Sequence, residues 1–162
     1  MICRRPRASR GFTLVELLAS LTLLALLATV ALPLAELAKR RAHETELRRS
    51  LVTIRTALDA YKRASDAGHI ERSIDDSGYP PDLRTLVDGV EDKKNPGGAH
   101  LYFLRRIPID PMCDCDGKAP EDMWETRGYD SDPESFSSGK DVFDVRSSNR
   151  EEGINGVPYN QW

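Results

Sequence analysis

Ser9-Arg10-Gly11-Phe12-Thr13-Leu14-Val15-Glu16-Leu17-Leu18 places a glycine at the end of a basic stretch and a carboxylate at the start of an apolar one. Ahead of it lie Arg4, Arg5 and Arg7, and with Arg10 they give the first eleven residues four positive charges and no acid. Behind it, Leu17 to Ala35 runs nineteen residues without a charge, interrupted only by Ser20, Thr22, Thr29 and Pro33. As a helix that run spans roughly 28 Å, enough for the hydrocarbon core of a bilayer. Arginines on its N-terminal side predict that this end stays cytoplasmic and that the rest is exported.

Three arrangements share this outline. A secretory signal peptide is cut after the apolar run, and Ala28-Thr29-Val30-Ala31 is a loose small-residue site for that. A plain signal anchor stays uncut. In the third the cut falls before the apolar run, between Gly11 and Phe12. Glu16 distinguishes them. A carboxylate in a spanning helix costs about 2.5–3.5 kcal/mol near the bilayer centre and less at the interface. A signal sequence has no use for one, so the plain alternative is a glutamate tolerated at the membrane edge.

Gly11 through Leu17, directly ahead of a spanning segment, closely resembles the type IV prepilin signature. The resemblance implies cleavage between Gly11 and Phe12 by an aspartyl prepilin peptidase on the cytoplasmic face, and N-methylation of Phe12. It also implies that the Glu16 carboxylate meets the Phe12 amine of a neighbouring subunit as helices stack in a filament. The physics agrees, because each charge in an apolar bundle bears a desolvation cost that pairing offsets. Pro33 removes a backbone donor and predicts a kink or a loosened turn. Members of the family often carry a proline at this distance from the cleavage site, and the helix bends or melts there on assembly.

The 162 residues, 40% hydrophobic and 30% charged, suit one small domain plus a membrane segment. Removing the four leader arginines from the formal net charge of −3 leaves −7 for the remainder. That balance argues against nucleic acid as a partner, since phosphate binding needs a basic surface.

After Ala35 the pattern turns amphipathic. Leu47, Leu51, Ile54, Leu58 and Tyr61 form one helical stripe, the face on which a globular part folds. Glu36/Arg40, Glu44/Arg48 and Asp59/Arg63 stand at i,i+4 on the charged side. The division expected is a leader at 1–11, a transmembrane or filament-core helix at 12–35, its amphipathic continuation at 36–66, and a periplasmic α+β part at 67–162. Tyr79-Pro80-Pro81 opens a short helix that Gly89 closes. Residues 91–98 read as a charged loop, and the proline-broken stretch 101–112 as a wrap on the long helix. Met123–Tyr129 and Val142–Val145 read as an antiparallel hairpin. The fold class is therefore α+β and pilin-like, a long N-terminal helix packed against a small antiparallel sheet.

The blocks Tyr79-Pro-Pro-Asp-Leu-Arg-Thr-Leu-Val87, Ile107-Pro-Ile-Asp-Pro-Met112, Trp124-Glu-Thr-Arg-Gly-Tyr129 and Asn155-Gly-Val-Pro-Tyr-Asn-Gln-Trp162 resemble G-type major pseudopilins of type II secretion. The resemblance implies a non-catalytic subunit that polymerises with other pseudopilins into a periplasmic pseudopilus driving protein export. Its further partners are the prepilin peptidase, an inner-membrane assembly platform and the inner membrane itself. The alternatives are a minor type IV pilin or DNA-uptake pseudopilin and, in another class, a signal-anchored periplasmic binding domain that never polymerises.

Cofactor signals are few. Cys113 and Cys115 read as loop thiols or a local disulfide, and His43, His69 and His100 lack the spacing of zinc ligands. Asp130, Asp132, Glu134, Ser138 and Asp141 echo an EF-hand frame, but Ser135 stands where glycine is required and Pro133 intrudes. Many G-type pseudopilins bind calcium near the C-terminus through acids just before the terminal aromatic. This chain departs there, with Glu151 and Glu152 followed by Ile154-Asn-Gly-Val-Pro-Tyr159. Calcium stays open with no ligand assigned. No catalytic elbow, phosphate loop or His-x-x-x-His motif is present.

Overall fold

The computed structural model describes residues 11–73, 75–95, 97–132 and 134–162. Cys3 and the leader arginines lie outside the described residues. The chain divides into two compact units, Met1–Arg40 and Arg41–Trp162. One helix, α1 (Leu14–Asp66), contributes to both.

In the first unit every side chain from Gly11 to Arg40 is exposed. A helix apolar on all sides and buried against nothing is one suited to lipid, and α1 has the length and composition to cross a membrane. The three hydroxyls of the apolar run from Leu17 to Ala35 turn back on their own helix. Ser20 Oγ donates to the Leu17 carbonyl at 2.9 Å, Thr22 Oγ1 to Ala19 at 2.8 Å and Thr29 Oγ1 to Leu26 at 2.7 Å. These polar groups are satisfied without water, as a hydrocarbon environment demands.

The second unit is built on the other half of α1. Leu47, Leu51, Ile54, Leu58 and Tyr61 are all buried, and with Leu83, Leu86, Ile107, Trp124, Val142, Val145 and Tyr159 they form the core. The helix ends at Asp66, and Gly68 takes a positive φ of 75° that a side chain would resist. The helix α2 (Thr85–Asp88) is one turn long; Asp82 Oδ1 accepts the Thr85 amide at 2.7 Å at its start, and Gly89 closes it.

Two separate two-stranded antiparallel sheets replace the single sheet expected from sequence. The pair β1 (Val90–Glu91) and β2 (His100–Leu101) aligns Val90 with Leu101 and Glu91 with His100. Strands of two residues are too short to show alternation, so the sequence reads there as loop. The pair β3 (Trp124–Arg127) and β4 (Asp144–Ser147) aligns Trp124 with Ser147 and Thr126 with Val145. This is the hairpin read from sequence, with its second strand two residues later. Glu125 and Arg146 face each other across it at 2.7 Å.

The proline-broken segment packs on the core through Ile107, and its backbone is tied at intervals. Phe103 and Leu104 amides both donate to the Leu86 carbonyl, and Trp124 Nε1 donates to Pro108 O at 2.8 Å. Asp110 is buried; one oxygen accepts the Met112 amide at 2.9 Å, the other the Ser147 hydroxyl at 2.6 Å. The partners of the Glu44/Arg48 pair anticipated on α1 make contacts elsewhere. Glu44 and Arg48 turn towards residues 154–162, and an i,i+4 ion pair on this helix joins Lys62 to Asp66 at 2.5 Å.

Candidate functional site: the start of the apolar helix

Gly11, Phe12, Glu16 and Pro33 all fall in the first unit, and all four are exposed. Gly11 has nothing within 4 Å of where a Cβ would stand, so its own surroundings place no limit on side-chain size. Phe12 is 75% exposed, one residue ahead of Thr13 and two ahead of α1.

Thr13 caps the helix. Its Oγ1 accepts the Glu16 amide at 3.3 Å, which satisfies one of the orphan donors of the first turn. Thr13-x-x-Glu16 is thus half of a capping box, and the carboxylate sits in the first turn where the helix dipole favours negative charge. Sequence reading singled out Glu16 and missed Thr13, although Thr-x-x-Glu ahead of an apolar run was the signal for it. Phe12 and Glu16 are four residues apart, so they mark one end of the helix with an apolar ring and a carboxylate.

Pro33 lies inside α1 with helix on both sides. Having no N–H, it leaves the Thr29 carbonyl without its i+4 backbone donor. The Thr29 hydroxyl is engaged one turn back, on Leu26. One backbone hydrogen bond of the helix is therefore missing between Thr29 and Pro33.

His43 Nδ1 lies 3.1 Å from the Pro111 carbonyl, and His69 Nδ1 lies 2.8 Å from Asp92 Oδ1. That hydrogen bond is the main reason the Asp92 carboxyl is held below its ordinary range. Burial is the first cause pushing the Tyr61 and Tyr79 hydroxyls up. Cys113 and Cys115 are joined as a disulfide, 5.1 Å between Cα atoms, with Cys113 Sγ 3.2 Å from Ser148 Oγ.

Two acids of the EF-hand-like frame accept hydrogen bonds from the protein itself. Asp132 Oδ1 accepts the Glu134 amide at 2.9 Å, while Asp141 accepts the Tyr129 amide at 2.7 Å and the Ser77 hydroxyl. Among the described residues no three His, Cys, Asp or Glu side chains converge as metal ligands. A cleft of about 1180 Å³ between α1 and residues 103–109 is lined by Arg49, Arg84, Arg105, Arg106 and apolar side chains, with Glu46, Asp88 and Glu121, and no His, Cys or Lys.

Residues 6–32 match the family model described as the prokaryotic N-terminal methylation motif. The chain is 26% identical over 141 residues to type II secretion system core protein G of Klebsiella michiganensis, covering 85% of this chain and 87% of that protein. It is 28% identical over 109 residues to the protein of the same name from Dickeya chrysanthemi, covering 65% of this chain and 64% of that one. No solved structure matches. The chain carries the N-terminal methylation motif of prepilin-like proteins and, across most of its length, resembles type II secretion system core protein G.

Proposed function

We propose that this chain is a structural pseudopilin subunit, which polymerises into a periplasmic pseudopilus that drives protein export by type II secretion. One observation carries the reading. The methylation motif at 6–32 leads straight into a helix apolar on every side, and the likeness to core protein G extends beyond it to 85% of the chain.

A prepilin peptidase cuts between Gly11 and Phe12 and methylates the new amine. The apolar half of α1 then holds the subunit in the inner membrane, N-terminus cytoplasmic, with the Arg41–Trp162 unit in the periplasm. On assembly the Phe12 amine enters the filament core beside the Glu16 carboxylate of an adjoining subunit. Glu16 has a second use before that, since its amide is capped by Thr13 and its charge lies at the favourable end of the helix dipole. The weakened turn between Thr29 and Pro33 lets the helix adjust as it packs. The subunit supports transport by assembling, and no reaction is assigned to it.

The test is expression with a prepilin peptidase and a type II assembly platform, followed by shearing and electron microscopy. Filaments built of this chain support the reading. A chain that stays in the membrane as a monomer despite processing contradicts it.

A further inference from the structure

The G-type resemblance raises calcium as a ligand near residues 151–162, and the residues there do not fit one. The carboxylates of that segment are Glu151 and Glu152 alone. Several of its backbone oxygens, which calcium would draw on, already accept hydrogen bonds. Glu151 O accepts from the Tyr159 amide at 3.0 Å, Gly153 O from Gly156 at 2.9 Å and Pro158 O from Gln161 at 2.9 Å. Val157 O accepts twice, from the Gly153 amide at 2.9 Å and from Trp162 Nε1 at 3.1 Å.

We propose that Glu44, Arg48 and Arg55 of α1 form a cation-independent latch that holds residues 151–162 on the domain. At about 100° per residue the three positions fall within roughly 40° of one another, on one flank of the apolar stripe. Each grips a different part of the segment. Buried Glu44 accepts the Ile154 amide at 2.7 Å and the Tyr159 hydroxyl at 2.9 Å through the same oxygen. Arg55 donates to Asp144 Oδ1 at 2.8 Å, to the Val145 carbonyl at 3.0 Å and to the Trp162 carbonyl at 2.9 Å. It therefore joins β4 and residue 162 to one guanidinium. Arg48 stacks over the Trp162 ring at 4.3 Å from its centroid.

The segment is shaped to receive these contacts. The Trp162 ring packs edge-on against Tyr159, 5.2 Å between centroids. It closes over Gly153 so tightly that a Cβ there would stand 2.6 Å from Trp162 Cζ2. A carboxylate that accepts two hydrogen bonds does locally what a cation does by ligation: it fixes amide and hydroxyl groups in one arrangement.

The experiment uses the full chain in detergent micelles, with thermal unfolding and amide hydrogen exchange measured in chelator and again in millimolar calcium. The expected result is the same unfolding midpoint and the same Ile154 exchange rate in both. Glu44→Ala should speed Ile154 exchange roughly ten-fold, because a charge-assisted bond is lost from a locally opening segment. Glu44→Gln should do so less. Should Glu44→Ala fail to fold, Arg55→Met and Gly153→Ala report the same loosening of residues 153–162. Calcium that raises the wild-type midpoint or slows Ile154 exchange would overturn the latch, and so would variants whose exchange matches wild type. Filament formation plays no part in these readouts, so the latch can fail while the pseudopilin reading stands.

Discussion

The hydroxyl of Ser147 donates to the carboxylate of Asp110 at 2.6 Å, both residues buried, and fastens the proline-broken segment to β4. Removing the donor strands a buried carboxylate oxygen. Ser147→Ala should therefore destabilise the domain by about 1–3 kcal/mol, more than the loss of one exposed hydrogen bond. Asp110→Asn should be milder than Asp110→Ala, because the amide keeps an oxygen for the Met112 N–H or for Ser147. Chemical denaturation of the three variants orders them.

Along α1 the stripe and its neighbours should respond very differently to truncation. Ile54 is fully buried, so Ile54→Ala removes apolar contact and leaves a void, a loss of about 2–5 kcal/mol. Val52 is 63% exposed, and Val52→Ala should fall within about 0.5 kcal/mol of wild type. Equal losses at the two positions would mean that the helix is rotated from the orientation described.

Acid should loosen the contact between residues 69 and 92. The folded-state pKa of Asp92 lies below its ordinary value of 3.8, chiefly through the hydrogen bond with His69. The folded protein therefore binds fewer protons than the unfolded chain near that pH. Stability from this carboxylate is present above pH 3.8 and declines as pH falls through the folded value. Thermal unfolding followed downward from about pH 5 should show a shallower acid decline in Asp92→Asn than in wild type.

The readable parts of this chain are those whose information is local or periodic. The stripe from Leu47 to Tyr61 announces itself by spacing, and all five residues lie in the core. The β3–β4 hairpin was legible through Trp124 and Val145, although its second strand begins at Asp144, two residues beyond the start expected. Contacts between distant residues were not legible. Asp110 and Ser147 are 37 positions apart and Glu44 and Tyr159 are 115 apart, and nothing in either segment names its partner. Glu44 and Arg48 looked like a surface i,i+4 pair because spacing alone cannot tell a solvated flank from one covered by a later segment. The string Gly11 to Glu16 was legible because its meaning is contiguous in sequence, and its Thr-x-x-Glu spacing also signals the cap that Thr13 makes.

Membrane residence and assembly should separate in Glu16→Leu. An apolar side chain in place of a carboxylate inserts at least as well as wild type. In the assembly proposed above, the Phe12 amine of the adjoining subunit would then enter the filament core unpaired, and a lone buried charge is penalised by several kcal/mol. Normal membrane levels with few sheared filaments are expected, with Glu16→Asp intermediate and partial rescue by co-expressed wild type. Wild-type filament abundance from Glu16→Leu alone would leave packing of Leu17 through Ala35 as the registering element.

The identity of the mature N-terminus tests the pseudopilin reading most directly. The full chain is produced with a prepilin peptidase, recovered from membranes and its N-terminal peptide measured by mass spectrometry. The expected peptide begins at Phe12, carries one methyl group on its amine, and lacks Cys3 and all four leader arginines. A peptide that begins at Met1, or near Leu32 beyond the apolar run, would contradict the reading and make the segment a signal anchor or a signal peptide.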